Sequence, residues 1–513
     1  MSLLSIIVAS PAVAAALLLG ISNRQRLTVR FVSLLGAVVS LVGALMVATR
    51  YDRALGGLQM LEVYPLVPHL GINLKLAVDG WGVALLLLTG IIIVTGVMAS
   101  WTVARRDKEF FILLLVLVSG VFGVFVSQDL FVFFLFYEIA VLPMYLLIGI
   151  WGASHDVEAK GPFAFVWKRF QVGGREYAAM KLTLMLLVGS AAIMVAMFLF
   201  WNGSGARTFD LQVLEQARLP RDLQMIVFPL VWLGFGTLAG VFPFHTWSPD
   251  GHASAPTAVS MLHAGVLMKL GAFGVMRIGM VLAPDAAAAW APIVGAVAVV
   301  NVLYGAMSAA SQDDLKYIIA YSSVSHMGVV MLGAATLNVG GWNGAVYQMV
   351  AHGIMTGLFF ALVGLVYERA HTRAIARMGG FAHTMPAVAA FFTLAGLSSL
   401  GLPGTAGFVA EFLVFLGAAQ GKSVWWVVPG VLGAFVTAVY VLRATKSIFW
   451  GPPPKGEFAH LEDAKRTEWV APLVLGAALV VFGFWPRLLL DFIDLTSTAW
   501  LKQLPMLAQV VSP

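Results

Sequence analysis

The chain has 513 residues, of which 60% are hydrophobic and 11% are charged. Soluble domains carry about 25% charged residues, so this composition excludes a soluble protein and predicts an integral membrane protein. The formal net charge of +6 comes from basic residues scattered among short loops, a distribution that does not indicate nucleic-acid binding. The absence of cysteine excludes disulfides, cysteine-ligated iron–sulfur clusters and thiol chemistry in this chain.

Long apolar runs account for most of the chain, and each is close to the ~20 residues that a helix needs to cross a bilayer. Because these runs are continuously apolar rather than alternating, they predict an all-α polytopic membrane protein. We predict a single membrane domain, residues 1–513, with about fourteen spans, numbered here in chain order: 2–21, 30–49, 80–101, 110–127, 130–151, 180–201, 225–243, 255–282, 289–308, 315–336, 341–368, 386–418, 424–450 and 469–490. Spans 7 and 12 contain breaks, at Pro243 and at Gly401–Gly404.

The basic residues predict the orientation of the chain. Span 1 has no basic region before it and is followed by Arg24, Arg26 and Arg30, a pattern typical of an uncleaved first helix with its N-terminus outside. If the spans alternate from there, most of the 31 Lys and Arg residues fall in inner connections. The positive-inside rule then predicts that both termini lie outside.

Two connections are long enough to hold structure of their own. The connection from Ser154 to Tyr177 has aromatic residues beside Lys168 and Arg169, which fits either a short helix lying in the membrane interface or an ordinary polar loop. The connection from Gly451 to Trp469 is rich in proline and charge and is interpreted as a solvated loop. Neither is a separate soluble domain.

The two broken spans share a short sequence. The tetrapeptide Thr-Leu-Ala-Gly occurs before both breaks, at 237–240 and at 393–396. Four matching residues carry little weight alone, but two interrupted spans five helices apart are the pattern of inverted repeats around a central ion site. We therefore predict two inverted five-helix repeats, residues 110–282 (spans 4–8) and residues 289–450 (spans 9–13).

Five spans carry an ionisable residue near the middle of the membrane. They are Glu138 in span 5, Lys269 in span 8, His326 in span 10, His352 in span 11 and Glu411 just past the break in span 12. A mid-membrane lysine costs about 2.5–3.5 kcal/mol on insertion scales, and this one is too far from the ends of its span to snorkel. Groups of these types at similar depth suit lateral proton transfer, with histidines as relays. We predict an intramembrane proton site.

Other interpretations apply to these residues taken singly. A lone buried histidine can be a core residue, and a glutamate near a helix break can cap free N–H groups. The histidines of spans 10 and 11 could ligate a haem b, although two histidines on different spans are a weak signal. His245, Asp250 and His252 could bind zinc, but no further ligand has convincing spacing, and ordinary turn and capping roles fit them better.

Several motifs together resemble one protein family. They are PFHTWSPDGHASAPTAVSMLHAGVLMKLGAFGVMR, DDLKYIIAYSSVSHMGVVMLG, FYEIAVLPMYLLIGIWG and the Val78-Asp79-Gly80 sequence before span 3. Over most of residues 75–450 the chain is similar to the antiporter-like membrane subunits of the proton-pumping NADH:quinone oxidoreductase (respiratory complex I). The similarity is greatest to the subunit called chain M, which is chain 4 in mitochondria.

The resemblance implies fourteen helices, two inverted repeats and broken helices 7 and 12. By motif position it implies that Glu138, Lys269, His326, His352 and Glu411 transfer protons. It implies no cofactor or metal in this chain, with the flavin, iron–sulfur clusters and quinone in partner subunits. Its expected partners are other membrane-arm subunits, including further antiporter-like chains, and the lipid bilayer, with no nucleic acid. The expected location is a bacterial cytoplasmic membrane or an equivalent energy-transducing membrane.

One position departs from the family pattern. The family has a lysine on helix 7, seven residues before the histidine that is His245 here, and this chain has Leu238 at that position. The usual partner of Glu138 is therefore missing. Either Lys181, His245 or His263 acts as a relay in its place, or Glu138 works unpaired.

The sequence is compatible with three functions. The first is a proton-translocating subunit of an NADH:quinone oxidoreductase. The second is a subunit of a multi-subunit cation/proton antiporter or of a membrane-bound hydrogenase, both of which share the fold. The third is a structural spacer that no longer pumps, for which the substitution at Leu238 is the only support. The redox module that the chain joins is not encoded in these motifs.

Overall fold

The computed structural model describes residues 2–154, 173–420 and 424–502. The elements up to the end of the first predicted repeat are α1 (Leu3–Leu19), α2 (Arg26–Arg50), β1 (Gln59–Val67), β2 (Ile72–Val78), α3 (Gly80–Ala99), α4 (Asp107–Val126), α5 (Leu130–Trp151), α6 (Arg175–Gly203), α7 (Leu211–Ala217), α8 (Arg221–Ala239), α9 (Trp247–Ser254) and α10 (Thr257–Met280). The later elements are α11 (Pro284–Ala310), α12 (Leu315–Ala335), α13 (Val339–Ala370), α14 (Pro386–Ser399), α15 (Ala406–Gln420), α16 (Val427–Phe449), α17 (Val470–Phe484) and α18 (Arg487–Leu501).

The helices confirm a polytopic membrane protein. Within the described residues, eleven helices are long and apolar enough to cross a membrane, or twelve if the bent pair α17 and α18 is one span. Three shorter apolar helices, α1, α14 and α15, fall below that length. The predicted total of fourteen spans therefore stays a prediction.

Burial separates central helices from peripheral ones. In the most apolar stretch of each helix, every residue of α10 and 94% of the residues of α12 and α13 are buried. The corresponding share is 39% in α2 and α6 and 28% in α16, which leave one apolar face uncovered. The three most buried helices, α10, α12 and α13, carry the predicted lysine and both predicted histidines.

The structure has a β-hairpin between α2 and α3 that the sequence did not predict. Strands β1 and β2 pair antiparallel, and β2 leads directly into α3. The Asp79 carboxylate caps α3 by accepting from the Gly82 N–H at 2.8 Å. On the other strand, Glu62 accepts from the Leu4 N–H at 3.0 Å, so the hairpin also ties down the start of α1. The motif Val78-Asp79-Gly80 thus marks a strand-to-helix junction.

Both predicted helix breaks are present. The first follows α8, where Gly240 takes a left-handed conformation (φ +76°) that glycine adopts without strain. Asn301 of α11 holds this break: its Oδ1 accepts from the Phe242 N–H at 2.6 Å and its Nδ2 donates to the Val324 carbonyl at 2.8 Å. The second break separates α14 from α15 and has left-handed conformations at Gly401 and Gly404.

The shared tetrapeptide does not occupy equivalent positions at the two breaks. Gly240 of the first copy ends α8 in the left-handed conformation. Gly396 of the second copy lies inside α14, which continues to Ser399 before the chain turns at Gly401. The Thr-Leu-Ala-Gly match is therefore no evidence for a repeat.

The end of the chain differs from the predicted span 14 at 469–490. Helix α17 ends at Phe484, and after a 66° bend the amphipathic helix α18 begins. Helix α18 packs across α3 and α13: Thr496 accepts from the Gly80 N–H at 3.0 Å, and Asp494 accepts from Asn343 Nδ2 at 2.6 Å. Pro486 ends α17 because proline has no backbone N–H to donate to the preceding turn of a helix.

The two predicted loops have different outcomes. Most of the connection from Ser154 to Tyr177, with its predicted interfacial helix, lies outside the described residues. The connection from Gly451 to Trp469 consists of turns and one short 3-10 turn at Gly456–Phe458, as expected for a solvated loop.

Candidate functional site

Lys269 is fully buried in the middle of α10. The helix widens into a π-helical turn over His263–Leu267, immediately before the lysine. The Lys269 ammonium donates to the Ala264 carbonyl of that turn, and it lies 2.7 Å from Nδ1 of His352 on α13. The lysine therefore has partners inside the protein, which removes the need to reach the membrane surface.

The two predicted histidines lie next to each other. The rings of His352 and His326 stack with centroids 5.2 Å apart and planes 24° apart. His326 Nδ1 is 2.8 Å from the Ser322 carbonyl, and its Nε2 is 3.1 Å from the Ser399 carbonyl at the end of α14. A neutral imidazole has one N–H and donates to one of these carbonyls at a time, whereas a protonated imidazole donates to both.

Glu411 completes this group from the second broken span. Its Oε1 lies 3.6 Å from His326 Nε2. Its other oxygen lies against the break, where a β-carbon on Gly401 would come within 2.8 Å of it. No hydrogen bond joins Glu411 to a backbone N–H in the described part of the chain, which argues against the capping interpretation.

These four residues form one continuous series of contacts, which we call the Lys–His–His–Glu line. Its members are Lys269 of α10, His352 of α13, His326 of α12 and Glu411 of α15. Several buried polar atoms beside it have no hydrogen-bond partner within the described residues, among them Nε2 of His352 and the hydroxyl oxygens of Ser398 and Ser399. In proteins, buried polar atoms that lack a protein hydrogen-bond partner usually bind water.

The fifth predicted residue, Glu138, lies apart from this line. Its carboxyl on α5 interacts with the Ser190 hydroxyl of α6, and one carboxyl oxygen is buried with no hydrogen-bond partner in the part of the chain that the structure describes. The neighbouring Tyr137 ring packs edge-on against Phe235 of α8, at a centroid distance of 5.9 Å. Within the described residues Glu138 makes no hydrogen bond to any of the three relay candidates, which are Lys181, His245 and His263.

Lys181 has a different partner. Its ammonium on α6 is 2.7 Å from the Asp250 carboxylate on α9, and the second oxygen of Asp250 accepts from the Tyr317 hydroxyl at 3.0 Å. Leu238, at the position of the family's lysine, is 1% exposed in apolar packing. The sequence predicts only a turn or zinc role for Asp250, because the spacing of α6 and α9 along the chain gives no sign of this contact.

His263 and His252 form a stacked pair that the sequence does not predict. Their ring centroids are 3.9 Å apart, and both are buried; among the described residues none of their four ring nitrogens has a hydrogen-bond partner. Trp247 and Phe360 cover the pair, at 5.1 Å from His263 and 5.4 Å from His252. The pair adjoins the turn that carries Ala264, the carbonyl partner of the lysine.

His245 lies elsewhere, against Tyr304 and Phe242, and its two buried ring nitrogens have no hydrogen-bond partner among residues 2–154, 173–420 and 424–502. It is therefore not grouped with Asp250 and His252 as a zinc site would require. Among the described residues, no group of three or more His, Cys, Asp or Glu side chains could hold a metal ion. The stacked rings of His326 and His352 face each other directly and leave no slot for a porphyrin between them.

Broken helices around buried ionisable groups define a class, the ion-translocating membrane proteins. Residues 127–437 match the model of the family described as NADH:quinone oxidoreductase/Mrp antiporter, transmembrane. The chain belongs to this family, as an antiporter-like membrane subunit of the chain 4 type. The resemblance found in its motifs is confirmed.

Two relatives match over nearly their whole length. NAD(P)H-quinone oxidoreductase chain 4 2 of Thermosynechococcus vestitus is 36% identical over 518 residues, covering 99% of this chain and 94% of the relative. NAD(P)H-quinone oxidoreductase chain 4 1 of Synechococcus elongatus is 37% identical over 500 residues, covering 96% of this chain and 90% of the relative.

Solved structures agree with the fold. A chain of respiratory complex I from Thermus thermophilus with bound NADH superposes with a TM-score of 0.85 at 30% identity, covering 98% of this chain and 99% of that one. A chain of the Mrp complex from Dietzia sp. superposes with a TM-score of 0.81 at 19% identity, covering 99% of this chain and 98% of that one. The second likeness shows the fold alone.

Proposed function

We propose that the chain is a proton-translocating membrane-arm subunit of an NADH:quinone oxidoreductase. Quinone reduction elsewhere in the complex drives proton transfer along the Lys–His–His–Glu line. Flavin, iron–sulfur clusters and quinone belong to partner subunits, and further antiporter-like chains flank this one in the membrane. Full-length similarity to chain 4 of NAD(P)H-quinone oxidoreductases favours this assembly over a cation/proton antiporter or a membrane-bound hydrogenase.

The observation that carries the proposal is the continuity of the line. Lys269 contacts His352, whose ring stacks on His326, and His326 lies within 3.6 Å of Glu411. Each group exchanges a proton by ordinary acid–base chemistry, and each lies near a buried polar atom or a helix break that can hold water. Apolar core residues would fill these positions at lower cost, so a chain that only needed packing would not keep them.

Matching backbone bridges support the two inverted repeats, residues 110–282 and 289–450. In the first, the Leu130 N–H donates to the Phe209 carbonyl at 2.7 Å and the Leu211 N–H donates to the Gln128 carbonyl at 3.0 Å. In the second, the Leu315 N–H donates to the Arg373 carbonyl at 2.9 Å, and the Ile375 N–H donates to the Asp313 carbonyl at 2.9 Å. Both bridges join the start of the second helix of a repeat to the segment after its third helix.

The membrane arrangement that we propose has fourteen spans and both termini outside. Adding α1, the broken pair α14–α15 and α17 to the eleven long helices gives this number. The proposed membrane is a bacterial cytoplasmic membrane or an equivalent energy-transducing membrane. The inner surface then carries most of the basic loop residues, as the positive-inside rule requires.

Glu138 is proposed as the entry to a second segment of the pathway. Ser190 and Tyr137 give it polar neighbours, and its unpaired oxygen provides a site for water. Lys181 and Asp250 form a separate ion pair, so the family's glutamate–lysine switch is replaced here by a glutamate without a local cation. Protons reach this glutamate through water in this proposal.

The test is removal of the lysine in the assembled complex. In Lys269→Ala we expect normal assembly and loss of most proton translocation, because the line then lacks its cationic end. Lys269→Arg should fail to restore pumping, since arginine does not release its proton at accessible pH. The measurement is the proton-to-electron ratio in reconstituted vesicles, with Lys446→Ala, an exposed lysine on α16, as the matched control. A normal ratio in assembled Lys269→Ala complex contradicts the proposal.

A further inference from the structure

One edge of the molecule collects six cations from two loops. The turn after α1 and the start of α2 supply Arg24, Arg26 and Arg30, and the connection from α3 into α4 supplies Arg105, Arg106 and Lys108. We call these six residues the basic edge. Its place at the ends of four helices, with exposed apolar faces beside it, suggests contact with the surface of the bilayer.

Direct bonds hold the two loops of the basic edge together. The Lys108 ammonium donates to the Ile21 carbonyl at 2.9 Å and to the Leu19 carbonyl at 3.3 Å. Arg30 donates from Nη2 to the Val103 carbonyl at 3.2 Å. The six charges therefore form one surface rather than two independent loops.

The positive charge of this surface is largely uncompensated. In the part of the chain that the structure describes, one of the six pairs with a carboxylate, Arg106 with Glu109 at 3.7 Å. Nε of Arg30 is buried without a hydrogen-bond partner in the same described residues. Like charges held this close repel one another, and an anion that contacts several of them at once relieves that repulsion.

Two tryptophans flank the basic edge. Trp101 lies with its ring 6.0 Å from the Arg30 guanidinium, and Trp151 lies 5.8 Å from the Arg106 guanidinium. The Trp151 indole N–H donates to the Arg105 carbonyl at 2.6 Å. Tryptophan is enriched at the depth of lipid headgroups, so this pair places the basic edge at that depth.

Apolar side chains stand exposed on the membrane side of the same surface. Leu27, Phe31 and Leu35 follow one face of α2, each about 60% exposed. Acyl chains pack against such a face while their headgroup reaches the cations above it. We propose that the basic edge binds the phosphate of an anionic phospholipid, with the acyl chains lying along α2. The ligand chemistry is a phosphodiester on a diacylglycerol, and two or more guanidinium groups contact it.

The test uses the full chain purified in a neutral detergent and offered phosphatidylglycerol and phosphatidylcholine in equal amounts, with retained lipid counted by native mass spectrometry. Each basic residue near an anionic lipid contributes roughly a fivefold preference. The triple variant Arg24→Gln, Arg26→Gln, Arg105→Gln removes three cations whose side chains make no hydrogen bond or ion pair within the described residues, so the fold should persist. We expect its preference for phosphatidylglycerol to fall at least about tenfold.

Two controls make the result specific. The triple variant Arg50→Gln, Arg207→Gln, Arg221→Gln lowers the net charge equally at the opposite ends of the helices and should keep the preference. The triple variant Arg24→Lys, Arg26→Lys, Arg105→Lys should keep most of it, because the charge remains. An unchanged preference in the first variant, or an equal loss in the distant one, overturns the proposal. Displacement of the lipid by millimolar glycerol phosphate would show a site for free phosphate and would also overturn it.

Discussion

Glu411 tests whether the outer end of the Lys–His–His–Glu line carries protons. In Glu411→Gln an acceptor oxygen stays 3.6 Å from the His326 ring, but the group no longer exchanges a proton. We expect proton pumping to fall by most of its value while the complex assembles normally. Pumping and quinone reductase activity, measured in the same vesicles, distinguish a loss of proton transfer from a loss of assembled complex.

The matched control for this variant is Glu457→Gln, on the solvated loop after α16. Glu457 is exposed and pairs with Arg377 at 2.9 Å, and surface pairs of this kind contribute about 0–1 kcal/mol. Its proton-to-electron ratio should equal that of the unmodified complex. Full pumping by Glu411→Gln would restrict Glu411 to a structural role at the helix break.

Leu238 tests how the first repeat works without the family's lysine. This side chain is 1% exposed, and Phe235, one turn earlier on α8, packs on Tyr137 beside Glu138. In Leu238→Lys a cation enters apolar packing, at a cost of about 2.5–3.5 kcal/mol before any pairing with Glu138. We expect lower thermal stability and poorer coupling of quinone reduction to proton transfer.

The control is Leu238→Met, which keeps volume and polarity and should change the stability by less than about 1.5 kcal/mol. Stability is measured by thermal unfolding of the purified chain in detergent, and coupling by the proton-to-electron ratio. A higher ratio in Leu238→Lys would mean that Glu138 still needs the lysine, contrary to the unpaired arrangement proposed here.

Residue types predict the site better than they predict its contacts. Lys269, His326, His352 and Glu411 stand out in the sequence because ionisable groups inside apolar spans are costly and therefore rare. Their order in the line does not follow from the sequence, since it depends on how α10, α12, α13 and α15 pack. The stacked His252–His263 pair was missed for the same reason, because a contact between two helices leaves no spacing along the chain.

At the level of elements, two aspartates anchor corresponding helices. Asp129 caps α5 by accepting from the Phe131 and Val132 N–H groups at 3.0 and 3.1 Å, and Asp314 caps α12 by accepting from the Lys316 N–H at 2.8 Å. Each lies at a backbone bridge of its repeat. Asp129 also accepts from the Asn73 N–H at 3.0 Å, which joins α5 to the hairpin.

We expect Asp129→Ala and Asp314→Ala each to lower the free energy of unfolding by about 1 kcal/mol or more, because each leaves helix N–H groups without an acceptor. Asp491→Ala is the control, since its pair with Arg53 at 3.5 Å is half-exposed and contributes little. Thermal unfolding of the purified chain in detergent measures the difference. Equal stability of all three variants would contradict the capping role.

Hydropathy predicts the spans because about 20 apolar residues in a row have few alternatives to a membrane helix. Both breaks were predictable, from proline in one case and from clustered glycines in the other. The hairpin was missed because its strands are mixed in polarity and lie between two spans. Helix α18 was missed because the leucines at 488–490 extend the apolar run of α17 past Pro486, where the chain bends by 66°.

For the whole molecule, the line joins the two predicted repeats. Lys269 belongs to residues 110–282, and the other three members belong to residues 289–450, so the proposed proton transfer along the line would cross the boundary between them. Helix α18 joins α3, which precedes the first predicted repeat, to α13 of the second through Thr496 and Asp494. A displacement of one repeat against the other would therefore change the contact between Lys269 and His352 first.

The proposed orientation follows from charge and is tested with single cysteines, which report cleanly because the chain has none of its own. Ala206→Cys lies in the exposed segment between α6 and α7, and Lys455→Cys lies in the exposed loop before α17. In intact cells we expect a membrane-impermeant maleimide to label the first and not the second, because the loop at Lys455 belongs to the basic, inner set. Both should react after permeabilisation, which controls for access to the thiol. The reverse labelling pattern would invert the chain, placing the basic edge and its proposed phospholipid in the outer leaflet.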